Sequence, residues 1–234
     1  MDHSLSSSPF ALWRWQDTFG HFGAFFDGFT QTIFVAFFAL CIAIVMGVFH
    51  ALLATSKIGI LRLWARIYVE FFQNTPLLIN LFFLYFVLPQ VPVFGVTLSV
   101  TAIGILGIGV YHGAYMSEVV RSGIEAIPRG QFEASASQGF GYVKQMFYII
   151  LPQTVNIILP PSVNQAVNLI KNTSVLAIIA GAELMYNADS YASTSLNYAT
   201  AYMLAGVFYF VTCSCLSSGM RVIENRLKNK QSGR

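Results

Sequence analysis

Five stretches of this chain stay apolar over lengths that suit a membrane crossing, which by helix takes roughly 20 residues. They run from Phe29 to Ala54, about Tyr68 to Leu88, about Leu98 to Met116, about Thr154 to Leu184, and Tyr198 to Met220. Pro89 and Pro92 close the second. The fourth contains Pro160-Pro161, two residues without an N–H, and a break or kink is expected there. One connecting segment stands apart. Glu118 to Pro152 is too polar for lipid and too regular for a linker. Pro128 and Gly130 precede a helical stretch, Gly139 and Gly141 interrupt it, and a second stretch ends at Pro152. That punctuation predicts two short helices joined at a sharp glycine turn. Ala134 and Ala136 make the first helix slim, and Phe132, Phe140, Tyr142 and Phe147 are expected as exposed knobs on a docking face.

Composition agrees with a chain built for lipid. Of 234 residues, 56% are hydrophobic and 10% charged, and the mean hydropathy is +0.63. An ordinary soluble domain has about a quarter of its residues charged, so a soluble fold would lack the polar groups to cover its surface. No basic stripe stands clear of the apolar segments, which excludes a nucleic-acid partner.

The placement of the charges predicts orientation. Lys57, Arg62 and Arg66 lie between the first and second spans, and Arg121, Arg129 and Lys144 between the third and fourth. Arg221, Arg226, Lys228, Lys230 and Arg234 follow the fifth, so eleven of the 13 basic residues share one side. The opposite loops, Pro89–Val96 and Tyr186–Asn197, contain none, and Arg14 is the only basic residue on their side. The positive-inside rule then puts the N-terminus outside and the C-terminus in the cytoplasm. Met1 to Phe26 has no basic n-region and no Ala-x-Ala site, and does not read as a cleaved signal peptide. The expected layout is an all-α membrane protein with an external segment over 1–26, a transmembrane domain over 27–224 and a basic tail over 225–234.

Few polar groups interrupt the spans. In the fourth, Asn164, Gln165, Asn168, Lys171 and Asn172 recur at helical spacing and fall on one face. Two readings fit this stripe. It is either a helix end near the interface with Lys171 snorkelling, or the lining of a polar passage. His50 and His112 have no carboxylate at helical spacing and read as hydrogen-bonded packing residues. Glu183 and Asp189 are expected to be solvated at the outer end, and Cys41, Cys213 and Cys215 to be small packing residues. The chain has no phosphate loop of the form Gly-x4-Gly-Lys-Ser/Thr, no Gly-x-Ser-x-Gly and no His-Glu-x-x-His. No catalytic constellation, metal site or cofactor site is expected.

The connecting segment carries a resemblance. Glu133-Ala134-Ser135-x3-Gly139-x9-Ile149-x-Leu151-Pro152 resembles the EAA loop of ATP-binding-cassette importer permeases, with Ser135 where the third alanine usually stands. Arg121-x-Gly123-Ile124-x-x-Ile127-Pro128-x-Gly130-Gln131, Asn74-Thr75-Pro76-Leu77-Leu78 and Lys171-Asn172-Thr173-Ser174 are similar to the polar amino-acid subfamily, although Gln73 stands where an Arg or Lys often precedes that proline. The resemblance covers roughly Gly28 to Glu224.

What it implies is a permease subunit of a type I importer in a bacterial inner membrane. A second permease, identical or homologous, would share the pathway, and an external binding protein would deliver an amino acid. Two ATPase subunits would grip a cytoplasmic coupling loop over about 121–152, through Glu133, Ala134, Ser135, Gly139, Phe140, Gly141, Leu151 and Pro152. ATP and magnesium would be bound by those partners, and the permease itself would be no enzyme. Basic amino-acid members of the family carry pocket carboxylates on the fourth span, whereas the matching positions here, Gln165 and Asn172, are neutral. The expected substrate is therefore a polar neutral or acidic amino acid, glutamine or glutamate first, because an unpaired buried cation is costly. The alternatives are a secondary transporter or channel for a small polar solute, and a membrane scaffold. The first would need midplane carboxylates, and the second leaves the docking loop unexplained.

Overall fold

The computed structural model describes residues 8–91 and 96–232, with side chains through Val222. Pro92 and Arg234 lie outside the described residues, as do the side chains of Arg226, Lys228 and Lys230. Every described element is helical. The helices are α1 (Leu12–Gly20), α2 (Phe22–Ala54), α3 (Gly59–Gln73), α4 (Leu77–Phe82), α5 (Val100–Glu125), α6 (Arg129–Ser137), α7 (Tyr142–Gln145), α8 (Leu151–Asn172), α9 (Leu184–Ser195) and α10 (Tyr198–Ser232). A π turn, Phe83–Val87, and a 3₁₀ turn, Leu88–Gln90, extend α4. A second π turn, Met146–Ile150, joins α7 to α8, and α8 runs into a 3₁₀ segment, Thr173–Ile179. Among the described residues four runs are long and apolar enough to cross a membrane: Phe22–Ala54, Val100–Glu125, Tyr142–Ile179 and Tyr198–Val222. The bent pair Gly59–Gln73 and Leu77–Gln90 makes a fifth if it counts as one span.

Prolines account for most departures from the expected spans. The second span does not run unbroken from Tyr68 to Leu88: the helix stops at Gln73 and restarts at Leu77. Pro76 offers no N–H, and its ring pushes Thr75 out of the helical region. At Pro89 and Pro152 the chain uses a different device. Leu88 N–H bonds the Phe83 carbonyl and Leu151 N–H bonds that of Met146, each five residues back. The widened turn relieves the clash that the following proline ring would make with the carbonyl four residues before it. The second stretch of the connecting segment therefore does not end at Pro152 but becomes the fourth span. Helix α8 also continues through Pro160 and Pro161 without the break that was one of the two outcomes expected there. Proline's fixed φ is compatible with a helix, so the segment stays helical while two carbonyls lose their donors. The first span begins at Phe22, and the third reaches Glu125.

Two compact units make up the chain: Met1–Ala39 with Leu77–Ile108 and Asn168–Cys215, and Leu40–Pro76 with Gly109–Val167 and Leu216–Arg234. The first has an apolar cluster of Phe25, Leu184, Ala188, Tyr191, Ala192, Ala201, Leu204 and Ala205. Beside it, α1 is tied down by polar contacts: Tyr191 Oη donates to Asp17 Oδ2 at 2.7 Å, Asn197 Nδ2 donates to the same oxygen at 2.9 Å, and Thr18 Oγ1 lies 2.7 Å from Thr200 Oγ1. The second unit is cored by Ala51, Met116, Val120, Ile124, Ile127, Met146 and Ile150. Large apolar side chains such as Phe37, Val45 and Phe210 lie exposed, as expected of helices that face lipid. Cys41 and Cys215 are exposed as well, so they are not core packing residues.

Glu183 also departs from expectation. Instead of being solvated, it is fully buried in the first unit. It caps α9: its carboxylate accepts Met185 N–H and Tyr186 N–H at 2.8 Å each, and Tyr209 Oη donates to it at 3.0 Å. Thr32 also bonds the carboxylate, and its Oγ1 accepts Leu184 N–H at 3.1 Å. A buried carboxylate costs several kcal/mol in lost hydration unless such donors replace the water. Asp189, by contrast, is exposed and accepts Tyr202 Oη at 2.6 Å.

Gly28 lets α2 approach this cap. A Cβ there would stand 2.9 Å from Leu184 Cα and 3.0 Å from the Glu183 carbonyl oxygen, both backbone atoms that cannot rotate away. Gly28→Ala should therefore destabilise the protein by about 1–3 kcal/mol, more than the gain of about 1 kcal/mol in helix propensity. A lowered melting temperature in detergent checks this. Burial pushes the Glu183 carboxyl above the usual glutamate range, and its four donors pull it partly back. The folded state then holds this proton more tightly than the unfolded chain, so this term favours the fold at low pH. It is lost as pH rises from the ordinary glutamate pKa through the raised one. Glu183→Gln should flatten that slope in a melting series across the acidic range.

Candidate coupling elbow and polar stripe

The elbow between the third and fourth spans is built by local rules. Pro128 precedes α6 in extended conformation, and the Gln131 N–H bonds its carbonyl at 2.9 Å. At the other end, Gly139 N–H bonds the Ala136 carbonyl at 2.9 Å and Phe140 N–H bonds the Ser135 carbonyl at 3.1 Å. These paired bonds form a Schellman closure. It requires a left-handed residue, and Gly139 has φ +83°. Gly141 follows in extended conformation, at φ −68° and ψ 159°, and leads into α7. That geometry suits any residue, so only one of the two glycines is demanded by the backbone.

Ser135, which departs from the alanine of the EAA pattern, is the centre of the elbow. It is buried, and its Oγ donates to the Gln131 carbonyl at 2.7 Å. The buried Gln145 of α7 donates from Nε2 to Ser135 Oγ, and to the Phe132 carbonyl at 2.6 Å. An alanine at 135 would lose the bond that crosses from one short helix to the other. Phe132 and Tyr142 pack against the apolar core of the second unit, and Phe140 is half-buried, so of the four expected knobs only Phe147 is exposed. Glu133, Ala134, Gly139 and Gly141 are exposed too, as is Pro152, while Leu151 is half-buried. What the elbow offers is a rigid exposed edge on an anchored base.

The polar stripe lies on α8 at the expected spacing. In the second unit Asn164 is exposed, and Gln165 is half-buried beside His112 of α5. In the first unit Asn168 and Lys171 are exposed and Asn172 is half-buried. Leu169 and Ile170 turn the opposite way, into the interior. His112 is buried, as a packing histidine would be.

A charged cleft was not anticipated. Arg121 Nη2 donates to Glu118 Oε2 at 2.6 Å, and Nη1 to both Glu125 oxygens at 2.8 Å. These groups line a cleft of about 610 Å³ together with Arg62, Arg66 and Glu70. Spacings of three and four residues between Glu118, Arg121 and Glu125 are the sequence signal for this clamp, and they apply because α5 extends to Glu125 rather than ending at Met116. Among the described residues no group of three or more His, Cys, Asp or Glu is placed to hold a metal ion.

Comparisons with known proteins converge on one family. The family model for the binding-protein-dependent transport system inner membrane component matches residues 43–229. A Bacillus subtilis protein described as a probable glutamine ABC transporter permease, GlnM, is 38% identical, over 90% of this chain and 96% of its own length. A second one from that organism, GlnP, is 34% identical, over 88% of this chain and 94% of its own. Among solved structures, a chain from "an amino acid ABC transporter with histidines" superposes with TM-score 0.81 at 31% identity, covering 91% of this chain and 98% of that one. The MetNI methionine ABC transporter in an inward-facing conformation shares the fold alone, at TM-score 0.64 and 15% identity. With a family model matched over most of its length and relatives more than 30% identical from end to end, the chain belongs to the binding-protein-dependent transport system inner membrane components.

Proposed function

We propose that this chain is the permease subunit of an ATP-driven amino-acid importer in a bacterial inner membrane. It forms part of the translocation pathway and leaves ATP hydrolysis to a separate subunit. The observation that carries the coupling role is the locked elbow: a Schellman turn at Gly139 and a Ser135–Gln145 bond hold two short helices as one body, with Glu133 and Ala134 exposed. A body of this kind transmits the closing motion of an ATPase dimer into rotation of the fourth span, because α7 leads through the Met146–Ile150 π turn straight into α8. The missing phosphate loop fits a chain that borrows its ATPase, and the charge asymmetry supports an elbow facing the cytoplasm, with the N-terminus outside. A second permease subunit and an external binding protein complete the assembly.

For the substrate, the stripe on α8 offers Asn164, Gln165, Asn168, Lys171 and Asn172, with no carboxylate to neutralise a cationic side chain. This favours a polar neutral or acidic amino acid, glutamine first. The names of the two Bacillus subtilis relatives point the same way. The solved relative "with histidines" sets the competitor to include.

Glu133→Arg and Gly139→Leu should reach the membrane in normal amounts yet lose co-purification with the ATPase subunit. ATP-driven uptake into proteoliposomes should fall tenfold or more. Uptake at the unsubstituted rate in both variants would refute the elbow's role. In the same vesicles, unlabelled glutamine or glutamate should suppress labelled glutamine uptake at concentrations at least tenfold below those needed for arginine, lysine or histidine. The opposite ranking would overturn the substrate assignment.

A further inference from the structure

The connection from the polar stripe to α9 has an unusual build. The 3₁₀ segment Thr173–Ile179 spans seven residues, where three or four is common. It is followed by Ala180 at φ 57° and Ala182 at φ 51°, left-handed positions that penalise a Cβ. Between them, Gly181 N–H folds back to the Leu176 carbonyl at 2.9 Å, and a Cβ on Gly181 would meet that oxygen at 2.9 Å. Backbone in such conformations persists only where its surroundings over-determine it. Here the over-determining groups are polar. Tyr209 Oη on α10 donates to Glu183 Oε2 at 3.0 Å, where the strap ends, and the same hydroxyl lies close to Thr173, where the strap begins. Thr32 on α2 joins the same cluster. Thr32, Thr173 and Glu183 are all buried.

We propose that Glu183 is a positioning residue for transport, which with Tyr209 clamps the strap from Thr173 to Ala182 and thereby sets the end of the polar stripe at Lys171 and Asn172. Asn172 directly precedes the strap, so a strap that relaxes moves this end of the stripe. Carboxylate geometry matters for the clamp. One oxygen takes Tyr186 N–H while the other takes Met185 N–H and Tyr209 Oη. A glutamine keeps the shape but turns one acceptor into a donor facing groups that donate. The transport role rests on the permease reading, whereas the clamp itself does not.

The test uses the assembled transporter in proteoliposomes, with Cys41→Ser, Cys213→Ser, Cys215→Ser and a probe at the exposed Ala180→Cys. Glu183→Gln and the milder Tyr209→Phe should assemble with the ATPase subunit in unchanged amounts. Maleimide labelling at the probe should speed up at least fivefold in Glu183→Gln and about twofold in Tyr209→Phe. Glutamine transported per ATP hydrolysed should fall about tenfold in Glu183→Gln and less in Tyr209→Phe. Unchanged labelling in both variants overturns the clamp. Faster labelling with an unchanged transport-to-hydrolysis ratio, or uptake that falls only in proportion to assembled complex, overturns the positioning role. If the unsubstituted complex moves no amino acid, the permease reading fails, and the labelling rates still decide the clamp.

Discussion

Inside hydrocarbon the backbone N–H and C=O groups are driven to find partners within the protein, and the prolines of this chain, which donate none, decide where its helices break, widen or leave a carbonyl without its helical donor. Pro76 stands at a helix break, and Pro89 and Pro152 each follow a π turn closed by the leucine before them. Pro160 and Pro161 stay within an intact helix. Each solution has a mechanical result. The break at 74–76 separates an amphipathic helix from the apolar one that follows. The turn at Met146–Ile150 makes the elbow continuous with the fourth span, which gives the proposed coupling path its stiffness.

Polar groups fix geometry where apolar packing would leave it loose. The Ser135–Gln145 bond and the Glu183–Tyr209–Thr32 cluster are both buried or nearly so, and both join segments that different helices carry. A hydrogen bond contributes only about 1 kcal/mol net, but leaving its partner unsatisfied costs about 1–3 kcal/mol. Such groups therefore select one arrangement more than they stabilise the fold as a whole. In a protein proposed to alternate between conformations, such sites would hold local bodies together while the spans move. By contrast, the Arg121 clamp with Glu118 and Glu125 is partly exposed, where each ion pair is worth at most about 1 kcal/mol.

By itself the sequence determined that the chain is helical and suited to membranes, roughly where the spans lie, and that a glycine-closed elbow stands before the fourth. Each of these follows from quantities local to the chain: hydropathy over about 20 residues, the missing N–H of proline, and the left-handed turn that only Gly139 takes at low cost. The stripe on α8 was equally legible, because helical spacing alone sets which residues share a face. What only the tertiary structure decided depends on groups brought from distant positions. Glu183 looked like a solvated residue at a span end, and only the approach of α2 at Gly28 and of Tyr209 on α10 buries it. Ser135 looked like a mild substitution until Gln145 was seen to bond it. Phe132 and Tyr142 looked like docking knobs until the core of the second unit covered them. Spacing specifies a face, but what that face meets is set by packing between segments far apart in the chain.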